Sequence, residues 1–272
     1  MFDSTTFNLD SWPVKIAILL ALVTARYAFF KWRPRGSRWQ IVATSGRELA
    51  DSTLLTLTLV FLLMQPFIAQ AFYIPTGSME NTLPPGDKIL VSKFIYRASE
   101  PKAGDVVVFE APDAALISSG QPRGTFFVKR CIGAPGDVVE IRNRTLFRNG
   151  VRVAEPYSKW KDGNEAILGR FSYDLKIVGG AVYSRSYHPF SGAPELWSKN
   201  GVVAPIGDQN FITAAKPGKV PAERFLMLGD HRNASNDGHV WGFVPRQNII
   251  GKTFAVFWPP RHWGVVDRKS AS

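Results

Sequence analysis

The chain has 272 residues, 45% of them hydrophobic, with a formal net charge of +11 at pH 7 and one cysteine. One thiol excludes an intrachain disulfide and a cysteine-built zinc site. Lys and Arg are spread along the whole chain with no dense basic tract and no nucleic-acid-binding signature, so the charge points to a membrane surface and away from nucleic acid.

Ile16 to Ala25 are apolar and uncharged between Lys15 and Arg26, and the apolar block runs on to Phe30. This predicts a first transmembrane helix at the end of segment 1–30, with a signal-peptide core as the alternative. Residues 31–52 form a polar connector with five basic residues against Glu48 and Asp51, which the positive-inside rule places in the cytoplasm. No charge occurs from Ser52 to Met79. That predicts a second transmembrane helix over 53–73, kinked at Pro66. Residues 74–272 then form an extracytoplasmic domain that begins at the outer membrane–water interface.

From Asp87 onward the pattern is β. Strands are predicted at 87–96, 105–109, 125–132 and 137–142, and Asn149-Gly150 between 145–148 and 151–153 is a hairpin signal. Residues 154–220, rich in Gly, Pro, Ser, Tyr and Trp, read as an insertion lobe with some hairpins. Pattern returns at 223–228, and two more apolar runs follow at 240–244 and 249–257. Short strands between Gly/Pro turns make the fold mostly β and antiparallel.

Three places could carry chemistry. The first is the turn Ile74-Pro-Thr-Gly-Ser-Met79, where Pro75 and Gly77 present the hydroxyls of Thr76 and Ser78; capping a turn is the plainer reading. The second is Thr125 to Ile132. As a strand it places Phe127, Lys129 and Cys131 on one face and Phe126, Val128 and Arg130 on the other, so each largely apolar face carries one cation. Burial disfavours an ammonium, and lowering a lysine from about 10.4 to about 8 takes roughly 3 kcal/mol. Arginine stays protonated, so Lys129 and not Arg130 is the candidate general base. The third is the polar loop Gly229 to His239. It reads as a solvated turn, as a metal site from Asp230, His231, Asp237 and His239, or as a partner that completes a Ser-His-Asp arrangement with Ser78.

Five blocks in order resemble bacterial type I signal peptidase, the membrane-bound serine–lysine protease family. They are the second apolar span, Pro75-Thr-Gly-Ser-Met79 with Thr82-Leu83, Gly104-Asp-Val-Val-Val-Phe109, Val128-Lys-Arg130 with Gly133-Ala-Pro-Gly-Asp137, and Gly229 to Asp237 with Trp241-Gly242. The resemblance implies two antiparallel β lobes, with the insertion forming much of the second. It implies Ser78 as nucleophile and Lys129 as base. Thr76 would join the Ser78 N–H in an oxyanion hole, Ser235 would hydrogen-bond the lysine amine, and Asp237 would support both. Ile74, Leu83, Phe127 and Val128 would line pockets for small P1 and P3 residues.

The same resemblance implies no cofactor or metal, signal-peptide-bearing preproteins and membrane lipids as partners, a monomer, and a multi-pass location in the bacterial cytoplasmic membrane. A maturation peptidase with one exported substrate and a non-catalytic membrane-anchored binding protein are the alternatives. The chain departs from the commonest pattern at His239, where an arginine paired with the aspartate is usual, and at Asn233, which replaces a frequent aspartate.

Overall fold

The computed structural model describes residues 37–58, 69–160, 173–187 and 193–266, with scattered positions between 20 and 31. It divides into two compact units, Met1–Ala69 and Gln70–Ser272. The first holds helix α1, Ser37–Thr58, which runs through the expected basic connector into the start of the apolar run. Within this unit Arg26 pairs with Asp51. Among the described residues no helix is long and apolar enough to cross a membrane. The expected first span is described only at scattered positions, and residues 59–68 of the expected second lie outside the described residues.

Residues 69–73, read as the end of that second helix, are instead strand β1, Ala69–Tyr73. The local pattern explains the difference. Gln70 and Phe72 are partly buried while Ala71 and Tyr73 are exposed, which is the period of two of a strand at a sheet edge.

The second unit is built on two antiparallel sheets. The remaining elements are β2 (Lys88–Ser92), α2 (Ile95–Ala98), β3 (Val106–Glu110), α3 (Asp113–Ser119), β4 (Phe126–Gly133), β5 (Val139–Arg142), β6 (Thr145–Arg148), β7 (Val151–Arg152), β8 (Tyr173–Val178), β9 (Ala181–Ser186), β10 (Ser198–Lys199), β11 (Val202–Val203), α4 (Ile206–Ala214), β12 (Arg224–Leu228), α5 (Gly238–Trp241), β13 (Phe243–Pro245), β14 (Ile249–Trp258) and β15 (Gly264–Val265). The first sheet has the order β1-β2-β14-β3-β4-β12-β13, with β15 on β14; the second is β11-β10-β9-β8-β5-β6-β7. The insertion supplies β8 to β11, and the strands just before it supply the other three. Asn149 and Gly150 both have positive φ, 53° and 79°, as the two-residue hairpin turn requires.

Two predicted runs are cut short. The 87–96 strand ends at Ser92, and Ile95–Ala98 is a turn of helix whose Tyr96 hydroxyl donates to buried Asp105 at 3.1 Å. Val240 and Trp241 belong to α5, because the buried Asp237 carboxylate caps that helix by accepting from His239 N.

The register of β3 on β4 sets Val107 opposite Lys129 and Val106 opposite Arg130. The two faces of this pair feed different cores. Val107, Phe109, Phe127 and Cys131 pack together with Trp241 and Phe225, whereas Val106, Val108 and Val128 pack with Ile74, Met79, Leu83 and Val256. A third cluster, with Ile132, Leu226 and Leu228 from the first sheet and Ile141, Leu175 and Ile177 from the second, joins the sheets.

The first sheet curls. β1 and β4 are four strand steps apart, about 19 Å in a flat sheet at about 4.8 Å per step. Yet the rings of Phe72 on β1 and Phe126 on β4 meet edge to face with centroids 5.6 Å apart. This curl brings the turn after β1 over the face of β4.

Candidate active site

Ser78 sits at the centre of a single 3₁₀ turn, Gly77–Met79, entered from Thr76 in extended conformation. The turn is held by the polar loop after β12. Met79 is buried and its sulfur accepts from Asp230 N at 3.4 Å, and the Ser78 carbonyl accepts from His231 N at 3.1 Å. With its backbone fixed, Ser78 projects its hydroxyl toward β4. Lys129 Nζ donates to Ser78 Oγ across 2.6 Å, and Thr76 Oγ1 lies 3.4 Å from the same oxygen.

Lys129 is 5% exposed, and among the described residues no carboxylate lies within ion-pair distance of its amine. Burial pulls its pKa down from 10.5 to about 8, against the smaller upward pull of Asp237 and Asp230. A large fraction of the amine is therefore neutral in mildly alkaline solution. It can then take the hydroxyl proton along the hydrogen bond already present.

The neighbouring cation is treated in the opposite way. Arg130 is fully buried and donates to both oxygens of Asp230, at 2.8 and 2.7 Å, and to the Gly104 carbonyl at 2.9 Å. Thr82 Oγ1 closes the cluster by donating to Asp230 at 2.6 Å, and the Tyr157 ring covers the guanidinium at 3.7 Å. A second buried pair, Arg232 with Glu155, ties the same loop to the start of the insertion, and Arg232 Nε also donates to the Gly229 carbonyl at 3.1 Å.

The loop meets the Ser78 turn at Gly229. A Cβ there would lie 2.3 Å from Ser235 Oγ and 2.6 Å from the Ser78 carbonyl oxygen, so no other residue fits the approach. Gly229 N donates to Asp237 Oδ2 at 2.7 Å. Asp237 Oδ1 accepts from His239 N at 3.1 Å and meets His239 Nδ1 at 2.7 Å. Burial by itself would raise the Asp237 pKa, but His239, then Lys129 and the Gly229 N–H, outweigh it and hold the carboxyl below the usual range. His239 is thus the partner of Asp237, at the position where the resemblance implies an arginine.

The other expected site residues divide. Ile74, Leu83 and Val128 lie together in one core cluster beside the turn, Ile74 and Leu83 being fully buried. Phe127 is on the opposite face, against Phe109, with the Lys129 amine 5.9 Å from its ring. Ser235 is brought to the loop's contact with Ser78, but its buried Oγ has no hydrogen-bond partner among the described residues. The expected bond to the lysine amine is not made; the contact recorded for that amine is with Ser78.

The two alternatives for the loop also fail on geometry. Asp230 is taken by Arg130 and Thr82, the His231 ring faces Glu80 at 3.4 Å, and His239 pairs with Asp237. Neither histidine is directed to Ser78. Among the described residues no three such side chains converge as a metal site. Sequence reading missed the Asp230–Arg130–Thr82 cluster, the Glu155–Arg232 pair and Tyr173. Two cations on opposite faces of one apolar strand were the signal that a buried carboxylate had to be supplied from elsewhere.

Against known proteins, a family model for signal peptidase, peptidase S26, matches residues 47–258. A probable signal peptidase I-1 of Synechocystis sp. is 32% identical over 231 residues, covering 85% of this chain and 90% of that one. A signal peptidase I of Leptolyngbya laminosa is 32% identical over 201 residues, covering 74% of each chain. A solved signal peptidase I from Enterococcus faecalis covers 57% of this chain and 97% of its own at 22% identity, with a TM-score of 0.30, too low to bear on the fold. On the extent of these sequence matches, the chain belongs to the signal peptidase family, peptidase S26.

Proposed function

We propose that this protein is a membrane-bound endopeptidase that removes N-terminal signal peptides from exported preproteins by serine–lysine catalysis. One observation carries the reading: a buried amine with its pKa drawn down to about 8 lies 2.6 Å from a hydroxyl on a rigid turn. Neutral Lys129 accepts the Ser78 proton as Oγ attacks the scissile carbonyl carbon. The Ser78 N–H and the Thr76 hydroxyl stabilise the resulting oxyanion. Lys129 then returns the proton to the leaving amine, and the mature protein departs from an acyl-enzyme. Water attacks that ester, its proton passing to Lys129, and the signal peptide leaves as a carboxylate with Ser78 restored. No step calls for a metal or cofactor.

Small residues at P3 and P1 are the expected substrate feature, with Ile74, Leu83, Val128 and Phe127 as the lining. A membrane location is supported by the exposed aromatics Tyr73, Phe94, Trp258 and Trp263 on and beside β1, β2, β14 and β15, and by Phe126 of β4, which the curl brings against Phe72 of β1. Such side chains suit a lipid interface, where signal peptides emerge on the extracytoplasmic side.

The test is cleavage of a model precursor with an Ala-x-Ala site by wild type, Ser78→Ala and Lys129→Met. Wild-type kcat/KM should rise with pH through about 8, and both variants should fail while remaining folded. Turnover by Lys129→Met would remove the lysine from the mechanism. Failure of wild type on several precursors, with cleavage of one exported protein, would narrow the function to dedicated maturation.

A further inference from the structure

The residue least accounted for by this mechanism is His239. Its Nδ1 and backbone N both meet Asp237 Oδ1, at 2.7 and 3.1 Å. Its ring lies flat on Tyr173 of β8, with centroids 4.2 Å apart and planes 5° from parallel. Its carbonyl accepts from Ser184 Oγ of β9 at 2.8 Å. Tyr173 is itself buried and backed by Trp160 at 5.2 Å. His239 is therefore gripped by two adjacent strands of the second sheet on one side and holds the carboxylate of the catalytic loop on the other.

The Asp237 carboxylate is consequently fully used. One oxygen receives His239, and the other receives Gly229 N, at the glycine that packs against the Ser78 carbonyl. A carboxylate anchored at both oxygens is kept from closing on the Lys129 ammonium. Released from His239, it could turn toward that ammonium and hold its proton.

Resting on the serine–lysine reading above, we propose that His239 is a positioning residue through which the second sheet, at Tyr173 and Ser184, holds Asp237 in place and so keeps Lys129 free of an ion pair. Among the described residues the other charges around the histidine are engaged elsewhere: Arg232 and Glu155, which act on Tyr173, pair with each other. On the elements packed against α5, Arg185 of β9 is turned to Asp174 at 3.0 Å, Asp113 of α3 faces Arg123 at 3.9 Å, and Arg224 of β12 is exposed. The role is distinct from mere support because it acts on the proton affinity of a different residue. It must therefore appear in the pH profile.

The experiment compares kcat and KM against pH for wild type, His239→Ala, His239→Gln and Tyr173→Leu. For His239→Ala, kcat at pH 7.5 should fall about tenfold with KM within about twofold, and the limb on which activity rises should move up by about one pH unit. His239→Gln, which can still donate to Asp237, should restore the wild-type limb. Tyr173→Leu, which removes the stacked ring without touching Asp237, should shift the limb upward by less.

A His239→Ala protein with the wild-type limb, or a Gln variant as impaired as Ala, overturns the proposal. If His239→Ala does not fold, Tyr173→Leu decides: an unmoved limb overturns the role of the second sheet. Lys129→Met in the same assay separates the two levels. If it retains turnover the serine–lysine reading fails by itself, and if it abolishes turnover the His239 series is judged alone.

Discussion

The two faces of strand β4 hold neighbouring cations under opposite regimes. Lys129 is buried with no carboxylate of the described residues within ion-pair distance, so its charge is destabilised and its proton is easily lost. Arg130, one residue on, is buried with two hydrogen bonds to Asp230, one to Thr82 and a ring stacked over it. Burial alone thus does not decide what a cation does. Withholding a partner leaves an amine that gives up its proton easily, and supplying one makes a strut that ties the loop to β4.

The largest way to sharpen the contrast is to neutralise each cation in turn. Lys129→Met should lower kcat by about 10⁴-fold or more, as removal of a nucleophile's base does, with a cooperative unfolding transition retained. Arg130→Met should lose activity because it leaves the Asp230 carboxylate buried and unpaired. Asp230→Ala, which strands the guanidinium, should cost about 3–5 kcal/mol of stability by denaturant unfolding. A stable, active Asp230→Ala protein would dissolve the distinction.

A smaller effect has the opposite sign. The folded-state pKa of Lys129, about 8, lies below its ordinary 10.5, so the unfolded chain binds a proton that the folded chain does not between those values. Stability therefore rises with pH across that window, and the penalty is fully present below about 8. Lys129→Met should remove it, making the variant more stable than wild type by about 3 kcal/mol at pH 7, a gap that closes by about pH 10.5. Equal stability at pH 7 would mean that the amine is not held dry.

The least change is at Gly229. Gly229→Ala brings a methyl within 2.6 Å of the Ser78 carbonyl and closer still to Ser235 Oγ. It should cost about 1–3 kcal/mol of stability and misplace the hydroxyl of Ser78, read as a loss in kcat larger than the change in KM.

Much of the architecture was legible from local pattern. Apolar runs bounded by Gly/Pro turns marked β3, β4 and β14, and Asn149-Gly150 marked a hairpin whose residues do take positive φ. The end of the apolar run was misread because residues 69–73 are as apolar as a helix end, and only an edge position beside β2 makes them a strand. The turn at Ser78 and the polar loop stood out by their punctuation, yet neither announced its partners.

What the residue order determined by itself was the set of elements and the chemical candidates, since strand period and turn chemistry act over a few residues. Which groups meet was decided in three dimensions. The Ser78–Lys129, Arg130–Asp230 and Thr82–Asp230 contacts span 51, 100 and 148 residues. Arg130 meets Asp230 because β12 pairs with β4, and Ser78 and Thr82 reach them because the first sheet curls β1 over β4. The pairing of Asp237 with His239, two residues apart, is near in sequence but equally hidden there. Its backbone half is the local cap of α5, whereas its ring half has the imidazole stacked on Tyr173 of the second sheet.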